Sequence, residues 1–205
     1  MATLGIEFEW TRAGAKTGEY KCEGGQIRQI TAGREWYSLL VEQSALYLVF
    51  ANLDGSPGAC CSFAQNCGLL FTEAKAGASE SLNDWKRQIQ LMKNRLMLVE
   101  AGRSLPRPGV GALMKMATVT ISLECQWPDR RWRLLQQPTT LLDAMVIQFA
   151  QSKASEGVSV QKCKQCGNWF ERGGSRGGKA RRSISTFCSE RCKNRHHYEQ
   201  QRASK

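Results

Sequence analysis

The chain has 205 residues, 41% of them apolar and 23% charged, which is typical of a globular protein and excludes a disordered or fibrous one. No apolar run approaches the roughly 18 to 20 residues that span a bilayer, and residues 1–10 lack the basic and apolar segments of a signal peptide. We therefore expect a cytoplasmic protein without membrane contact, of a length that suits one ordinary domain plus a small appended module.

The net charge of +11 lies mostly in the C-terminal quarter of the chain. Residues 153–205 contain 13 Lys and Arg against four Glu, whereas residues 1–152 are nearly neutral. A concentrated positive charge favours nucleic acid, or another acidic surface, as the partner of that segment.

The first third of the chain predicts one strand and two helices. Alternating apolar and acidic side chains predict a strand over residues 5–11, and the glycine- and charge-rich residues 12–25 predict a loop. Crowded apolar side chains over residues 35–53 predict a mostly buried helix. Pro57 suits the start of a second, short helix, which Gly68 would end.

The middle of the chain predicts a long helix and a β-hairpin. A capping-box pattern predicts a helix over residues 81–100. A break rich in Pro and Gly follows over residues 102–111. Alternation of apolar and polar residues then predicts a strand over residues 118–126, with residues 131–135 as its antiparallel partner.

A last helix completes the predicted body, which covers residues 1–152. Thr140, with Asp143 three residues later, forms another capping box, and an apolar stripe follows it. The polar residues 151–159 predict a hinge between this body and the C-terminal module.

Five of the nine cysteines lie in the predicted body, at spacings that match neither a metal motif nor a redox motif. We interpret them as small buried side chains: Cys22, Cys60, Cys61, Cys67 and Cys125. Because no histidine precedes His196, the body lacks the local parts of a Cys-His nucleophile, and we expect no enzyme. The apolar residues of the helices form either a core alone or also a pocket for a small-molecule effector.

The other four cysteines form two close pairs, Cys163 with Cys166 and Cys188 with Cys192. Zn²⁺ favours a tetrahedron of four thiolates, and these pairs supply one. Cys188 and Cys192 are four residues apart and would share one face of a helix. The spacing therefore predicts one structural zinc ion, with His196 as a weaker alternative ligand.

Basic side chains surround this predicted treble-clef zinc finger, which we place at residues 160–205. Along the helix that carries the last cysteine, four side chains recur at helical spacing and share one face: Arg191, Arg195, Tyr198 and Arg202. The loop between the cysteine pairs adds basic residues among glycines, a composition suited to following a phosphate backbone. The predicted nucleic-acid contacts are Arg172, Arg176, Lys179, Arg181, Arg182, Arg191, Asn194, Arg195 and Arg202.

The tail carries a family resemblance in three motifs: a Cys-x2-Cys-Gly followed by a Phe, Phe187-Cys188-Ser189, and Cys192-Lys193-Asn194-Arg195. They are similar to the zinc finger of CGNR-type proteins, bacterial stress-linked transcription regulators with an N-terminal domain called ABATE. Residues 46–70 are similar in kind to that domain. The resemblance implies that the four cysteines hold the metal and that Asn194 and Arg195 are the signature pair. Lys193 departs from the signature, which has glycine there.

Together these patterns predict a mostly helical α+β body with one small antiparallel hairpin, followed by a zinc finger. The leading hypothesis is a DNA-binding transcription regulator, with DNA favoured over RNA. The alternatives are a finger that binds an acidic protein and an RNA-associated factor. A homo-oligomer is compatible with each of these hypotheses.

Overall fold

The computed structural model of the protein describes residues 5–6, 9–12, 19–31, 34–38, 45–100, 119–126, 131–154, 158–173 and 185–203. Its helices in these ranges are α1 (Leu46–Ala51), α2 (Pro57–Cys67), α3 (Leu82–Glu100), α4 (Leu141–Ala154) and α5 (Glu190–Ala203). Its strands are β1 (Gly5–Ile6), β2 (Glu9–Arg12), β3 (Tyr20–Glu23), β4 (Gln26–Gln29), β5 (Glu35–Ser38), β6 (Ser79–Ser81), β7 (Val119–Gln126), β8 (Arg131–Pro138), β9 (Ser159–Lys162) and β10 (Trp169–Arg172). No helix in the described ranges is both long enough and apolar enough to cross a membrane.

The strands form four small sheets, so the fold is a mixture of helices and short sheets. β7 pairs with β8 in antiparallel fashion, and β1 adds to the other edge of β8 in parallel. β2 pairs with β5, while β3, β4 and β6 form an antiparallel sheet in that order. β9 and β10 form the hairpin next to the C-terminal cysteines.

Aromatic side chains from three helices form the centre of the core. Phe50 of α1, Phe63 of α2 and Trp85 of α3 lie with ring centroids 5.3 to 6.1 Å apart, at the tilted and edge-on angles that aromatic pairs prefer. Phe50 and Trp85 are fully buried. This cluster explains why α1, although only six residues long, is held in place.

Helix α2 has the predicted ends. The Ser56 side chain accepts a hydrogen bond from the Ala59 N–H at 3.2 Å, and Pro57 is the first helical residue. Gly68 ends the helix at φ 87°, and its N–H donates to the Ala64 carbonyl at 2.7 Å. A Cβ atom on Gly68 would lie 2.3 Å from the Thr11 carbonyl oxygen, so the position requires glycine.

A buried carboxylate fixes the segment after α2. Glu80, which is 6% exposed, accepts backbone N–H groups from Leu70, Phe71 and Thr72 at 2.8, 2.6 and 2.8 Å. Trp85 Nε1 donates to it at 2.7 Å. Burial raises the pKa of Glu80, and the four donors oppose that rise because they stabilise the charged form.

Several sequence predictions are confirmed. The mixed α+β class, the long helix α3, the β7–β8 pair and the last body helix α4 are all present. Thr140 Oγ1 accepts the Asp143 N–H at 3.1 Å and donates to the Asp143 carboxylate at 2.7 Å, so Thr140 caps the helix as predicted.

Four predictions are wrong in whole or in part. Residues 12–25 were expected as loop, but β3 lies within them. Residues 35–53 were expected as one helix, but they begin with β5, because Tyr37 pairs with β2 and its hydroxyl donates to the Cys67 carbonyl at 2.7 Å. The body therefore contains more than one hairpin.

The predicted hinge over residues 151–159 is wrong in its first part, since α4 continues to Ala154. The predicted break at residues 102–111 lies outside the described residues.

Candidate metal centre

A tight turn between β9 and β10 presents the first two cysteines. The Cys163 N–H donates to the Asn168 carbonyl at 2.8 Å, and the Gly167 N–H donates to the Cys163 carbonyl at 2.9 Å. Gly167 adopts φ 73°, which glycine tolerates without strain. This turn, residues 163–168, is called the knuckle below. It places Cys163 in a buried position and Cys166 at the surface.

The start of α5 presents the other two cysteines. Cys188 lies two residues before the helix, and Cys192 lies in its first turn. Ser189 Oγ accepts the Cys192 N–H at 3.1 Å, an N-terminal cap that fixes this turn. The start of α5 therefore lies opposite the knuckle, so that Cys188 and Cys192 face Cys163 and Cys166.

The four sulfur atoms of Cys163, Cys166, Cys188 and Cys192 all lie within 4.8 Å of one another. Cys188 Sγ is 3.6 Å from Cys166 Sγ and 3.5 Å from Cys192 Sγ. A tetrahedral zinc ion with Zn–S bonds of about 2.3 Å separates its sulfur ligands by about 3.8 Å. The described cluster thus has the composition and the size of a four-thiolate metal site.

The thiols of the cluster differ in acidity. Burial alone would raise the pKa of Cys163, but backbone N–H groups of Cys188, Cys166 and Gln165 lower it to about 6. Burial, followed by contact with the neighbouring thiols, raises the pKa of Cys188 to about 12. One sulfur is therefore ready to bind a metal at neutral pH, whereas Cys188 must lose a proton as the metal binds.

His196 is engaged elsewhere than the sulfur cluster. Its Nδ1 lies 3.1 Å from Gln165 Oε1, and its ring packs 5.1 Å from the ring of Phe187. Gln165 Nε2 also donates to Glu199 at 2.9 Å. These contacts hold α5 against the knuckle, and among the described residues the metal-competent group contains the four cysteines without His196.

The β9–β10 hairpin is packed into the body. Val160 and Trp169, each about 5% exposed or less, belong to the same core cluster as the body helices. The Asn52 side chain, at the end of α1, accepts the Trp169 N–H at 2.7 Å and donates to the Trp169 carbonyl at 3.0 Å. Sequence reasoning missed Asn52, because its partner lies 117 residues later in the chain.

A second contact ties the hairpin to two body helices. The Glu171 carboxylate accepts hydrogen bonds from the Tyr47 hydroxyl at 2.5 Å and from the Ser152 hydroxyl at 2.8 Å. Tyr47 and Ser152 are buried, and their hydroxyl oxygens lie 3.0 Å apart. The cysteine module, which comprises β9, the knuckle, β10 and α5, is therefore held on the body through its hairpin.

The predicted nucleic-acid contacts fall into three groups. Arg191, Asn194, Arg195 and Arg202 lie exposed on α5. Arg172 lies on β10, where its Nε donates to Ser159 Oγ at 2.6 Å. The basic residues of the loop between the cysteine pairs lie outside the described residues: Arg176, Lys179, Arg181 and Arg182.

Two of the α5 arginines have intrahelical partners. Arg195 Nε donates to Glu199 Oε1 at 2.8 Å, an exposed ion pair that holds Arg195 along the helix. The Arg202 guanidinium lies 5.9 Å from the Tyr198 ring centroid. Arg191 is exposed and forms no ion pair within the described ranges.

Comparison with known proteins gives no relative. No family model matches the chain, and no curated protein and no solved structure is detectably similar to it. The resemblance of the tail to CGNR-type fingers accordingly stays a prediction from its motifs.

Proposed function

We propose that residues 160–205 form a treble-clef finger around one structural zinc ion, and that the finger binds DNA as part of a transcription regulator. The knuckle, the β9–β10 hairpin and α5 are the three parts of such a finger, and the four thiolates would close the coordination shell of the metal. The ion would fix α5 relative to the hairpin. No coordination position is left for a catalytic water, which favours a structural role.

The observation that carries the proposal is the exposure of α5. None of the buried residues of the described chain lies on this 14-residue helix. Because α5 buries no apolar face, packing against the rest of the chain stabilises it little. Its position depends instead on the cysteine cluster and on the contacts of Gln165. Such a helix is available to an external partner along most of its length.

The charges of α5 indicate the chemistry of that partner. The helix carries four basic and two acidic side chains, and both histidines of the chain. Arg191 and Arg202 form no ion pair within the described part of the chain, so they would neutralise phosphates without breaking one. Arg195 would have to exchange Glu199 for a phosphate, a change between two charge-assisted bonds.

The proposal is tested by measuring binding of the full chain to duplex DNA, structured RNA and an acidic polypeptide at several salt concentrations. Each phosphate contact that is lost reduces the slope of log affinity against log salt by about 0.9. We expect the slope of the Arg191→Ala/Arg202→Ala variant to fall by about 2.

The matched control is Arg28→Ala/Arg87→Ala, which removes the same charge from exposed positions of the body. Its slope should stay close to that of the wild type. Equal losses in the two variants would show a diffuse charge effect and contradict a role for α5. Tighter binding of RNA or of the polypeptide than of DNA would contradict the DNA assignment.

A further inference from the structure

A groove lies where the cysteine module meets the body. It consists of two adjoining cavities of about 330 and 480 Å³, which share Gln90 and Lys93 of α3. The first cavity extends from α3 to Lys162 and the knuckle, and the second extends to Lys86 and the turn before α2. We call the two cavities together the junction groove.

The junction groove contains three ammonium groups: Lys86, Lys93 and Lys162. Lys93 Nζ donates to the Leu53 carbonyl at 2.7 Å, and Lys162 Nζ lies 5.1 Å from the ring centroid of Trp169. Both groups are thus oriented by neutral partners, and Lys93 also acts electrostatically on Asp54, whose pKa is lowered first by hydrogen bonds from Ser56 and further by this lysine. None of the three forms an ion pair with a described carboxylate.

Two carboxylates lie near the junction groove, and both are engaged with the backbone. Asp54 lines the second cavity and accepts the Ser56 N–H at 2.8 Å. Glu100 accepts the Lys162 N–H at 3.1 Å. In the lining, three lysines face one carboxylate, Asp54, and one cysteine, Cys166. A zinc ion with four thiolates would add a charge of −2 that all four sulfurs share, so the lysines keep a positive excess in the lining, which favours an anionic ligand.

The lysines of α3 have the spacing of a backbone-binding surface. Lys86, Gln90 and Lys93 are separated by four and three residues, so they share one face of α3. At 1.5 Å per residue, Lys86 and Lys93 are about 10 Å apart along the helix axis. That length corresponds to about three nucleotides of one strand of duplex DNA.

The knuckle links this groove to α5. Gln165 faces α5 through its contacts with His196 and Glu199, whereas Gly167 and Asn168 line the groove. The two basic surfaces therefore border the same short turn. A polyanion that lies on α5 can continue across the knuckle into the groove.

We propose that the junction groove is a second contact surface for the sugar–phosphate backbone of the nucleic acid that the finger binds. This inference rests on the proposed function and extends it, because it assigns part of the affinity to the body. Gln90 and Asn168 would donate amide hydrogen bonds to phosphate oxygens between the lysines.

The test compares salt dependence of duplex-DNA binding for Lys86→Gln/Lys162→Gln and for Lys21→Gln/Lys75→Gln, using the full chain loaded with zinc. Both pairs of lysines are exposed, and the control pair lies outside the groove lining. Lys93 is left unchanged because its ammonium group donates to the Leu53 carbonyl, so its replacement would also remove a contact within the protein. The groove variant should bind on the order of tenfold more weakly, with a slope reduced by about 2, and the control should bind like the wild type.

Replacement by arginine separates a folding defect from a lost contact. Lys86→Arg/Lys162→Arg keeps both charges and should restore the slope of the wild type. If the groove variant keeps the wild-type slope while Arg191→Ala/Arg202→Ala reduces it, the groove inference is wrong and the proposed function stands. If the wild type does not bind nucleic acid, both fail together.

Discussion

The contact between Asn52 and β10 gives the sharpest prediction about stability. Asn52 makes two hydrogen bonds with the backbone of Trp169, at 2.7 and 3.0 Å. Asn52→Ala removes both bonds. The backbone N–H and C=O of Trp169, a buried residue that is 5% exposed, then lose these partners. At about 1 kcal/mol per net hydrogen bond, the free energy of unfolding should fall by about 2 kcal/mol.

Asn52→Asp is the matched variant, since it has nearly the same shape. It keeps the acceptor for the Trp169 N–H but turns the donor into an oxygen that faces the Trp169 carbonyl. We expect it to destabilise the zinc-loaded protein at least as much as Asn52→Ala, because a carboxylate oxygen would lie against a carbonyl at about 3 Å. The faster loss of zinc to a chelator in both variants would show that the body supports the metal site.

Equilibrium urea unfolding, followed by tryptophan fluorescence, measures these differences. Asn94→Ala serves as control, because Asn94 is exposed and its bond to Gln90 stays within α3. It should change the free energy of unfolding by less than about 0.5 kcal/mol. An Asn52→Ala variant as stable as Asn94→Ala would refute the view that this contact holds the hairpin to the body.

Three further outcomes follow from the described contacts. Glu80→Gln places an NH₂ group against two of the four N–H donors, and two unsatisfied buried donors should cost roughly 2 to 5 kcal/mol in the urea assay. Gly68→Ala should destabilise by more than about 1 kcal/mol, since its Cβ would meet the Thr11 carbonyl at φ 87°; Gly58→Ala is the tolerated control. Zinc binding at pH 7.4 should release fewer than four protons by calorimetry, because Cys163, with its pKa near 6, is already ionised.

The lowered pKa of Cys163 contributes one part of the pH dependence of stability in the metal-free protein. Its folded-state pKa of about 6 is below the ordinary value of 9.0, so the thiolate stabilises the fold fully above pH 9. That contribution declines as the pH falls and is lost as the pH passes through 6. A metal-free Cys163→Ser variant should lack this part of the pH dependence.

Local signals in the sequence predicted much of the fold. Pro57 and Gly68 marked the ends of α2, and Thr140 with Asp143 marked the start of α4, because caps depend on a few neighbouring residues. The cysteine spacing predicted the members of the metal-competent cluster because each close pair belongs to one local structure. One pair lies in the knuckle, and the other lies at the start of α5.

The errors arose where distant parts of the chain decide the structure. The apolar composition of residues 35–53 fits a helix, but pairing with β2 makes residues 35–38 a strand. The position of the cysteine module on the body likewise depends on residues that are distant in the chain. Asn52 and Trp169 lie far apart in the chain, and no periodicity relates them, so a hinge was predicted where α4 and the core contacts of the hairpin leave the module fixed.

The surface that the cysteine module and the body form together could not be predicted from the sequence either. Counting charges placed the positive field in the last quarter of the chain. The fold brings Lys86 and Lys93 from the body next to Lys162 and the knuckle. Only the packing of β9 on α3 and of β10 on α1 places these groups along one groove.

The most direct test of the account is whether the metal site and DNA binding depend on each other. Native mass spectrometry should find one zinc ion per chain in the wild type and none in Cys166→Ser/Cys188→Ser. At equal ionic strength the wild type should bind random duplex DNA at least tenfold more tightly than this variant, while Cys22→Ser should match the wild type in both measurements. A chain that holds zinc but binds DNA no better than the variant would contradict the central claim.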